Sequence, residues 1–425
     1  MGLNYNFKKM HLLLALAVIL VALLAINPNT LALTTTCDRI TQHGYPCENH
    51  VVTTSDGYLL TMFRIPNSHR MESRKVDSRP AVLLMHGTQS SSDMWVLNGP
   101  NDGLPFMLAD GGFDVWLGNV RGNIYSRNHT TLSPSSSEFR DYSWDEIGQR
   151  DMPAKIDYIL KHTGDKSLHY IGFSQGTRIF MILLSSKPEY SAKIRSSHML
   201  GPGVFLCHVR SLLPTLLAPF LGRPSALATL YGSISTNAFG ELINTVGPGL
   251  CRQSSFVPLC INALQSTAGR GSPYINKTVL PEFFATNPAG SSPRLSLHFF
   301  QLTASCKFQA FDFGPEENMR RYGQSFPPPY ELENIKLQTP AELYFSENDY
   351  LATVKDVQHL SQIMGDQVIP HRVNLTKYNH FDFILAENVK TVVNDCVLDK
   401  MQKYEGRPFN GSLCNYFIDK PFDEK

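Results

Sequence analysis

The sequence predicts an α/β protein in which a doubly wound, mostly parallel sheet is interrupted by a mainly helical insertion. Short apolar runs alternate with helical patterns along the chain, as is typical of βαβ units. The run Ala81–Met85 is apolar throughout, as expected for a strand buried on both faces of a parallel sheet. Between residues 201 and 313, sheet-like runs are absent and Pro and Gly recur, which indicates the insertion.

The other elements are assigned from the spacing of their apolar residues. The predicted strands are residues 57–64, Ala81–Met85, 113–117, 168–171, Ala341–Phe345 and 367–373. The predicted helices of the core are residues 145–162, 177–184 and Val354–Met364.

Charge and composition exclude several classes of partner. The 38 Lys and Arg residues nearly balance the 37 Asp and Glu residues, and no block of like charge occurs. We therefore expect no nucleic-acid or strongly anionic partner. Hydrophobic residues make up 42% of the chain, which is enough for a large buried core and excludes a disordered protein.

The first 32 residues have the pattern of a signal peptide. A short basic region at Lys8 and Lys9 precedes an apolar run that ends at Ile26, and small residues follow. The run is shorter than the roughly 18 residues that span a bilayer, so we expect cleavage and no stable transmembrane segment afterwards. The mature chain would begin near Leu33. Four N-x-S/T sequons are candidate glycan sites in such a chain: Asn128, Asn276, Asn374 and Asn410.

Eight cysteines in a secreted chain indicate disulfides rather than a metal site. No C-x-x-C spacing and no accompanying histidine cluster points to a metal. Local pairs are plausible, which would leave Cys207 with Cys306, although eight cysteines allow many connectivities. The plausible local pairs are Cys37–Cys47, Cys251–Cys260 and Cys396–Cys414.

The pentapeptide Gly172-Phe173-Ser174-Gln175-Gly176 lies between a predicted strand and a predicted helix. A serine hydroxyl attacks an ester only where it is exposed, next to a base and beside donors for the developing oxyanion. G-x-S-x-G on a sharp strand-to-helix turn exposes the serine and aims the N–H of the next residue at the oxyanion. Ser174 is therefore the predicted nucleophile, and it requires a histidine and an acid.

Both partners occur later in the chain, each after a predicted strand. Asp349 follows Ala341–Phe345, and His380 follows residues 367–373. Serine, then acid, then histidine is the order found in α/β-hydrolases, and ligands bind at the carboxyl ends of strands in open α/β sheets. We expect Asp349 to orient His380, and His380 to accept the proton of Ser174. Glu347 and Asp382 are rivals for the acid, although Asp382 lies only two residues from the histidine.

The second oxyanion donor is expected in the loop after an early strand. His86-Gly87-Thr88 follows Ala81–Met85, so Thr88 and Gln175 are the predicted backbone donors. His86 could also be read as a catalytic base. Because it precedes the nucleophile and lies at a turn, we interpret it as structural.

The chain resembles the acid lipases, which include gastric and lysosomal lipases, and among them the insect-type members. The resemblance covers nearly all of the mature sequence. Its motifs are HGYPCENHVVTTSDGYLLTMFRIP (43–66), DVWLGNVRGNIYSR (114–127), YSWDEIGQRDMPAKIDYI (142–159), NPAGSS (287–292), FQAFDFG (308–314), ENDYLA (347–352) and NHFDFI (379–384).

The resemblance implies an α/β-hydrolase fold whose triad is Ser174, Asp349 and His380, with Thr88 and Gln175 as oxyanion donors. It also makes Cys251–Cys260 the disulfide of the lid. The implied division of the chain is a core at 33–200 and 318–408, a cap or lid at 201–317 and a C-terminal tail at 409–425.

Some positions depart from the better-known members of this family. In the pentapeptide 172–176, which we call the elbow, Phe173 replaces a histidine, and in the loop after Ala81–Met85, Thr88 replaces a leucine. The acid motif reads E-N-D-Y rather than G-x-D-W, and the histidine motif continues with I-L-A rather than I-W-G. None of these changes removes a catalytic atom. We expect these positions to line the mouth of the pocket and to affect acyl-chain preference.

The expected protein is a secreted or lysosomal serine hydrolase that cleaves acylglycerols or sterol esters at a lipid–water interface. It would act through an acyl-enzyme and use no metal or organic cofactor. Two alternatives stay open: an esterase for smaller soluble esters, and a non-catalytic lipid carrier on a lipase scaffold. The long apolar insertion favours the lipase over the esterase, and the presence of all three triad residues disfavours the carrier. The sequence does not predict an oligomeric state.

Overall fold

The structure is a computed structural model that describes residues 34–68, 79–233, 237–408, 411–418 and 421–422. The predicted signal peptide and the sequon at Asn410 lie outside these ranges. Within them, no helix combines the length and the apolar character needed to cross a membrane.

One mixed sheet organises the described part of the chain. Its order is β1-β2-β4-β3-β6-β7-β8-β9-β10, and β5 pairs with β2. Neighbouring strands from β4 to β9 are parallel, and the outer pairings are antiparallel. The strands are β1 (Glu48–Thr53), β2 (Tyr58–Ile65), β3 (Ala81–Met85), β4 (Asp114–Gly118), β5 (Asn128–His129), β6 (Leu168–Phe173), β7 (Ile194–Leu200), β8 (Ala341–Phe345), β9 (Val368–Val373) and β10 (Phe417–Ile418). The predicted α/β class is confirmed.

Helices precede, interrupt and follow the parallel strands. Before β7 they are α1 (Thr36–Thr41), α2 (Gly99–Asp102), α3 (Leu104–Asp110), α4 (Trp144–Glu146), α5 (Met152–Thr163) and α6 (Gln175–Ser186). Between β7 and β8 they are α7 (Leu212–Leu221), α8 (Ala226–Ser233), α9 (Asn237–Arg252), α10 (Val257–Ala268), α11 (Leu280–Thr286), α12 (Pro293–Ser305) and α13 (Pro315–Tyr322). After β8 they are α14 (Val354–Met364), α15 (Asp382–Leu385) and α16 (Asp395–Tyr404). Short π-helical turns occur at Ile147–Asp151 and Lys390–Asn394.

The sheet separates two large apolar cores. In β3, Leu83 and Met85 belong to one core, whereas Val82 and Leu84 belong to the other. Because successive strand residues point to opposite faces, this strand is buried on both sides. The continuous apolar run of β3 is thereby explained.

The helices between β7 and β8 have a smaller core of their own. Its buried members come from α7, α8 and α12 and from Phe311. The disulfide Cys207–Cys306 joins the chain just before α7 to the end of α12. The other three disulfides are the local pairs that the sequence favours: Cys37–Cys47, Cys251–Cys260 and Cys396–Cys414.

Candidate active site

Ser174 lies at a sharp turn between β6 and α6, with φ 53° and ψ −111°. Such a conformation is strained for a residue with a side chain, and strained residues of this kind cluster at functional sites. Two glycines allow it. A Cβ on Gly172 would lie 2.7 Å from the carbonyl carbon of Gly176, and a Cβ on Gly176 would lie 2.4 Å from the carbonyl oxygen of Met85. The pentapeptide therefore forms the tight strand-to-helix turn that its sequence predicts.

Asp349 and His380 form a direct hydrogen bond in the loops that follow β8 and β9. His380 Nδ1 donates to Asp349 Oδ2 at 2.6 Å, and both side chains are buried. The other carboxylate oxygen, Oδ1, accepts from the backbone N–H groups of Leu351 and Ala352, each at 2.8 Å. With the proton held on Nδ1, the imidazole has Nε2 available to accept one.

The two rival acids lie elsewhere. Glu347 is exposed, and its backbone carbonyl accepts a hydrogen bond from Arg210. Asp382 is buried, but its carboxylate accepts from the Asn379 N–H and the Ser272 hydroxyl rather than from the imidazole. Only Asp349 is paired with His380.

The elbow and the acid–histidine pair meet through Phe173. Its ring centroid is 4.9 Å from that of His380, with the planes tilted by 35°. A Cβ on Gly87 would lie 3.0 Å from the Phe173 ring and 3.4 Å from Ser174 Cβ. The loop after β3 therefore packs directly against the elbow. Among the described hydrogen bonds, none joins the Ser174 hydroxyl to the imidazole.

The expectation that Phe173 lines the pocket mouth is wrong. The side chain is only 1% exposed and belongs to one of the two main cores. Phe173 is the last residue of β6, and its side chain packs into the sheet core, where it contacts His380 and the Gly87 loop.

Thr88 lies half-buried in the turn after β3. The following residue, Gln89, has φ 56°, and its carbonyl accepts a 2.7 Å hydrogen bond from the N–H of Ala289. The NPAGSS motif thus holds the loop in place. Buried His86 supports it from inside: Nδ1 donates to the Gly87 carbonyl at 2.8 Å.

The remaining contacts of His86 are also structural. Its Nε2 accepts from the Val120 N–H at 3.3 Å and from Asn123 Nδ2 at 3.2 Å. Burial lowers the pKa of His86 to about 4, so the ring is neutral at physiological pH. These contacts agree with the structural interpretation of this histidine.

Gln175, the second predicted donor, is the first residue of α6 and is buried. Its side-chain Oε1 accepts from Trp144 Nε1 at 2.8 Å. The Arg178 guanidinium lies over the Trp144 ring at 3.8 Å from the centroid. Trp144 therefore fixes the start of the helix that follows the serine.

Gly201 is a site residue that the sequence did not reveal. It follows β7 with φ +54°, and a Cβ there would lie 2.9 Å from His380 Cε1 and 3.4 Å from Asp349 Oδ2. Its N–H donates to the Tyr344 carbonyl at 2.9 Å. The only available signal was the sequence Gly201-Pro202-Gly203, which directly follows Met199 and Leu200.

One cluster in the described ranges has metal-ligand chemistry: Glu48, His50 and His162. Arg64 Nη1 donates to Glu48 Oε2 at 2.8 Å and lies 3.1 Å from His162 Nε2. Since the guanidinium already supplies the positive charge between these groups, we assign no metal to them.

Three sequons can be placed in the structure. The side chains of Asn128 and Asn374 are exposed. Asn276 is half-buried, and its Nδ2 donates to Asn98 Oδ1 at 3.2 Å. A glycan on Asn276 would have to replace that contact.

Comparison with known proteins places the chain in a family. Residues 36–99 match the partial alpha/beta-hydrolase lipase region, and residues 80–386 match the alpha/beta hydrolase fold. Lipase 3 of Drosophila melanogaster is 39% identical over 87% of this chain and 93% of its own length. The chain belongs to the acid lipase family. Other acid lipases are similar over comparable lengths: gastric triacylglycerol lipase of Bos taurus is 38% identical over 84% of this chain and 89% of its own. The family resemblance predicted from the motifs is confirmed.

Proposed function

We propose that this acid lipase hydrolyses carboxylic ester bonds of acylglycerols or sterol esters through an acyl-enzyme on Ser174. The observation that carries the proposal is the 2.6 Å hydrogen bond between Asp349 and His380, beside a serine held on a strained elbow. The family membership supports the reaction class, and the name of gastric triacylglycerol lipase supports triacylglycerols as one substrate.

The reaction proceeds in two halves. Ser174 Oγ attacks the ester carbonyl while His380 Nε2 takes its proton, and the N–H groups of Thr88 and Gln175 receive the oxyanion. The imidazolium then protonates the departing alcohol, which leaves an acyl group on Ser174. His380 takes a proton from water, which attacks this ester, and the imidazolium then returns the proton to Ser174 Oγ as the fatty acid leaves. Asp349 keeps the imidazole in the required tautomer and stabilises its protonated form.

The helices α7 and α8 support a lipid–water interface as the place of action. Neither helix contains a charged residue. Large apolar side chains on α7–α10 are exposed, to 64% at Leu213 and 65% at Phe220. Among the side chains that the structure describes, they are Leu212, Leu213, Leu216, Phe220, Leu227, Leu230, Leu242 and Leu259, which we call the cap surface. Exposed apolar surface of this extent is typical of membrane or ligand contact.

The route of the protein would be secretory, ending outside the cell or in the lysosome. Four disulfides and two exposed sequons suit an oxidising, glycosylating compartment. The gastric and lysosomal members of the family suggest both destinations.

Hydrolysis of a panel of emulsified tri-, di- and sterol esters, with short water-soluble esters in parallel, tests this proposal. The wild type should prefer the emulsified long-chain esters, and Ser174→Ala should abolish turnover. Ser185→Ala, at the other end of α6, is the matched control and should stay active. A preference for the soluble esters would favour the esterase, and wild-type lipid binding without turnover would favour the carrier.

A second experiment tests the cap surface. Leu213→Lys with Phe220→Lys should lower activity on emulsions while sparing soluble esters. Val51→Lys changes an apolar residue on β1 that is 52% exposed and lies outside the cap surface, and it should affect neither. Equal losses on both substrates would contradict an interfacial role.

A further inference from the structure

The inserted helices contact both catalytic loops through one carbonyl group. The carbonyl oxygen of Ala268, at the end of α10, accepts from the N–H of His380 at 3.2 Å and from the N–H of Tyr350 at 3.1 Å. Tyr350 is the residue after Asp349. The main chain of the insertion therefore lies between the loop of the acid and the loop of the histidine.

The chain after Ala268 is packed too closely to move independently of these loops. A Cβ on Gly269 would lie 1.9 Å from the Asn348 carbonyl oxygen. The Gly269 carbonyl accepts from Asn379 Nδ2 at 3.0 Å, directly before the catalytic histidine. Gln265 closes the turn by accepting from the Gly271 N–H at 2.8 Å and donating to the Ser272 carbonyl at 2.6 Å.

Asp382 completes this connection from the other side of His380. Its Oδ2 accepts two 2.6 Å hydrogen bonds, one from the Asn379 N–H and one from the Ser272 hydroxyl. Its Oδ1 is buried and has no hydrogen-bond partner among the described residues. Burial and the charge of Asp349 raise the pKa of Asp382 to about 7, which favours the neutral carboxyl at lower pH.

We propose that Asp382 and Ser272 are positioning residues for His380, and that the insertion thereby holds the catalytic base as well as covering the site. The proposal rests on the proposed function, in which His380 is the base. Asp382 fixes the backbone on one side of the imidazole, and Ser272 ties that backbone to the turn after α10. Two short hydrogen bonds of Asp382 thus connect the position of the turn after α10 to the backbone next to His380.

Replacement of Asp382 and Ser272 tests the proposal. Asp382→Ala should lower kcat by about 10- to 100-fold with KM changed by less than about threefold, because a small displacement of a catalytic group is costly. Asp382→Asn keeps an acceptor oxygen for both donors and should restore kcat to within about threefold. Ser272→Ala should lower kcat by about three- to tenfold. The rate of inactivation by an organophosphate ester should fall in parallel, since it reports the activation of Ser174 directly.

Matched controls separate positioning from stability. Asp145 is also a buried carboxylate that accepts one backbone N–H, from Phe311 at 2.9 Å, and one hydroxyl, from Tyr330 at 2.6 Å. Asp145→Ala should lower Tm but leave kcat within about twofold below the transition. Ser266→Ala, on the exposed side of α10, should change neither.

The possible results distinguish failure of the positioning role from failure of the proposed function. Unchanged kcat in folded Asp382→Ala, or equal losses in Asp382→Ala and Asp145→Ala, would overturn the positioning role. If Asp382→Ala does not fold, an unchanged kcat and inactivation rate in Ser272→Ala would overturn it instead. Full activity of Ser174→Ala in the same assays would overturn the proposed function itself, independently of these residues.

Discussion

Gly201→Ala should damage catalysis more than its cost in stability explains. At φ +54° the new side chain costs about 1–2 kcal/mol of backbone strain. The added Cβ would also lie 2.9 Å from His380 Cε1 and 3.0 Å from Nδ1. Carbon atoms at optimal separation are about 3.5–4.0 Å apart, so the imidazole or the backbone has to move by roughly 0.5–1 Å. Displacement of that size costs a catalytic group on the order of 10²-fold, so we expect kcat to fall by about 10- to 100-fold.

Gly164→Ala is the control that introduces the backbone strain of a positive φ without a contact to His380. Gly164 has φ +78°, and a Cβ there would meet no atom within 4 Å. Both variants should lose about 1–2 kcal/mol from backbone strain in urea unfolding, and Gly201→Ala should lose more because of the overlap, but only Gly201→Ala should lose kcat on a soluble 4-nitrophenyl ester. Equal kcat values for the two variants would refute the argument that Gly201 is required for the placement of His380.

Three further predictions concern stability and modification. The folded protein keeps His86 neutral down to about pH 4, whereas the unfolded chain protonates it near pH 6.5, so the free energy of unfolding should fall by on the order of 3 kcal/mol between pH 6.5 and pH 4. His86→Gln should therefore flatten the fall of Tm across that window. An unchanged slope of Tm against pH would contradict this role of His86. Cys251→Ser with Cys260→Ser should expose α9 and α10 to limited proteolysis before the sheet is cut, whereas simultaneous cleavage would show that the disulfide does not stabilise the insertion separately. Peptide mass spectrometry of protein produced in a glycosylating host should find more glycan on Asn374 than on Asn276, and the reverse occupancy would contradict the inferred cost of losing the Asn98 contact.

The buried parallel strands could be predicted because their runs are mostly apolar: Ala81–Met85 is apolar throughout, and only Glu342 interrupts Ala341–Phe345. Ala81–Met85 and Ala341–Phe345 have the predicted bounds. β7 could not be predicted in this way, since Ser196 and His198 interrupt its apolar character. Both are buried and hydrogen-bonded: Ser196 Oγ pairs with His169 Nδ1 at 2.7 Å and with His198 Nε2 at 3.2 Å. Polar residues that satisfy one another inside a sheet have the sequence pattern of a loop.

The candidate triad could be predicted because chemistry and chain order restrict it to few residues. The packing around it could not, because it depends on distances between segments far apart in the chain. Gly201 lies against the imidazole, and Ser272 meets Asp382 across 110 positions of sequence. The placement of Phe173 in the core also needed the structure, since the motif alone does not show which way the residue before the serine points.

Covalent labelling tests the central claim most directly. An organophosphate ester with a 4-nitrophenolate leaving group should modify the wild-type protein once, and peptide mass spectrometry should locate the phosphoryl group on Ser174. Loss of hydrolysis should follow the extent of labelling, and labelling should be much slower in Asp349→Asn, which disfavours the required imidazole tautomer. Modification of a different residue in proportion to the loss of activity, or full hydrolysis with Ser174 completely labelled, would contradict the assignment of Ser174 as nucleophile.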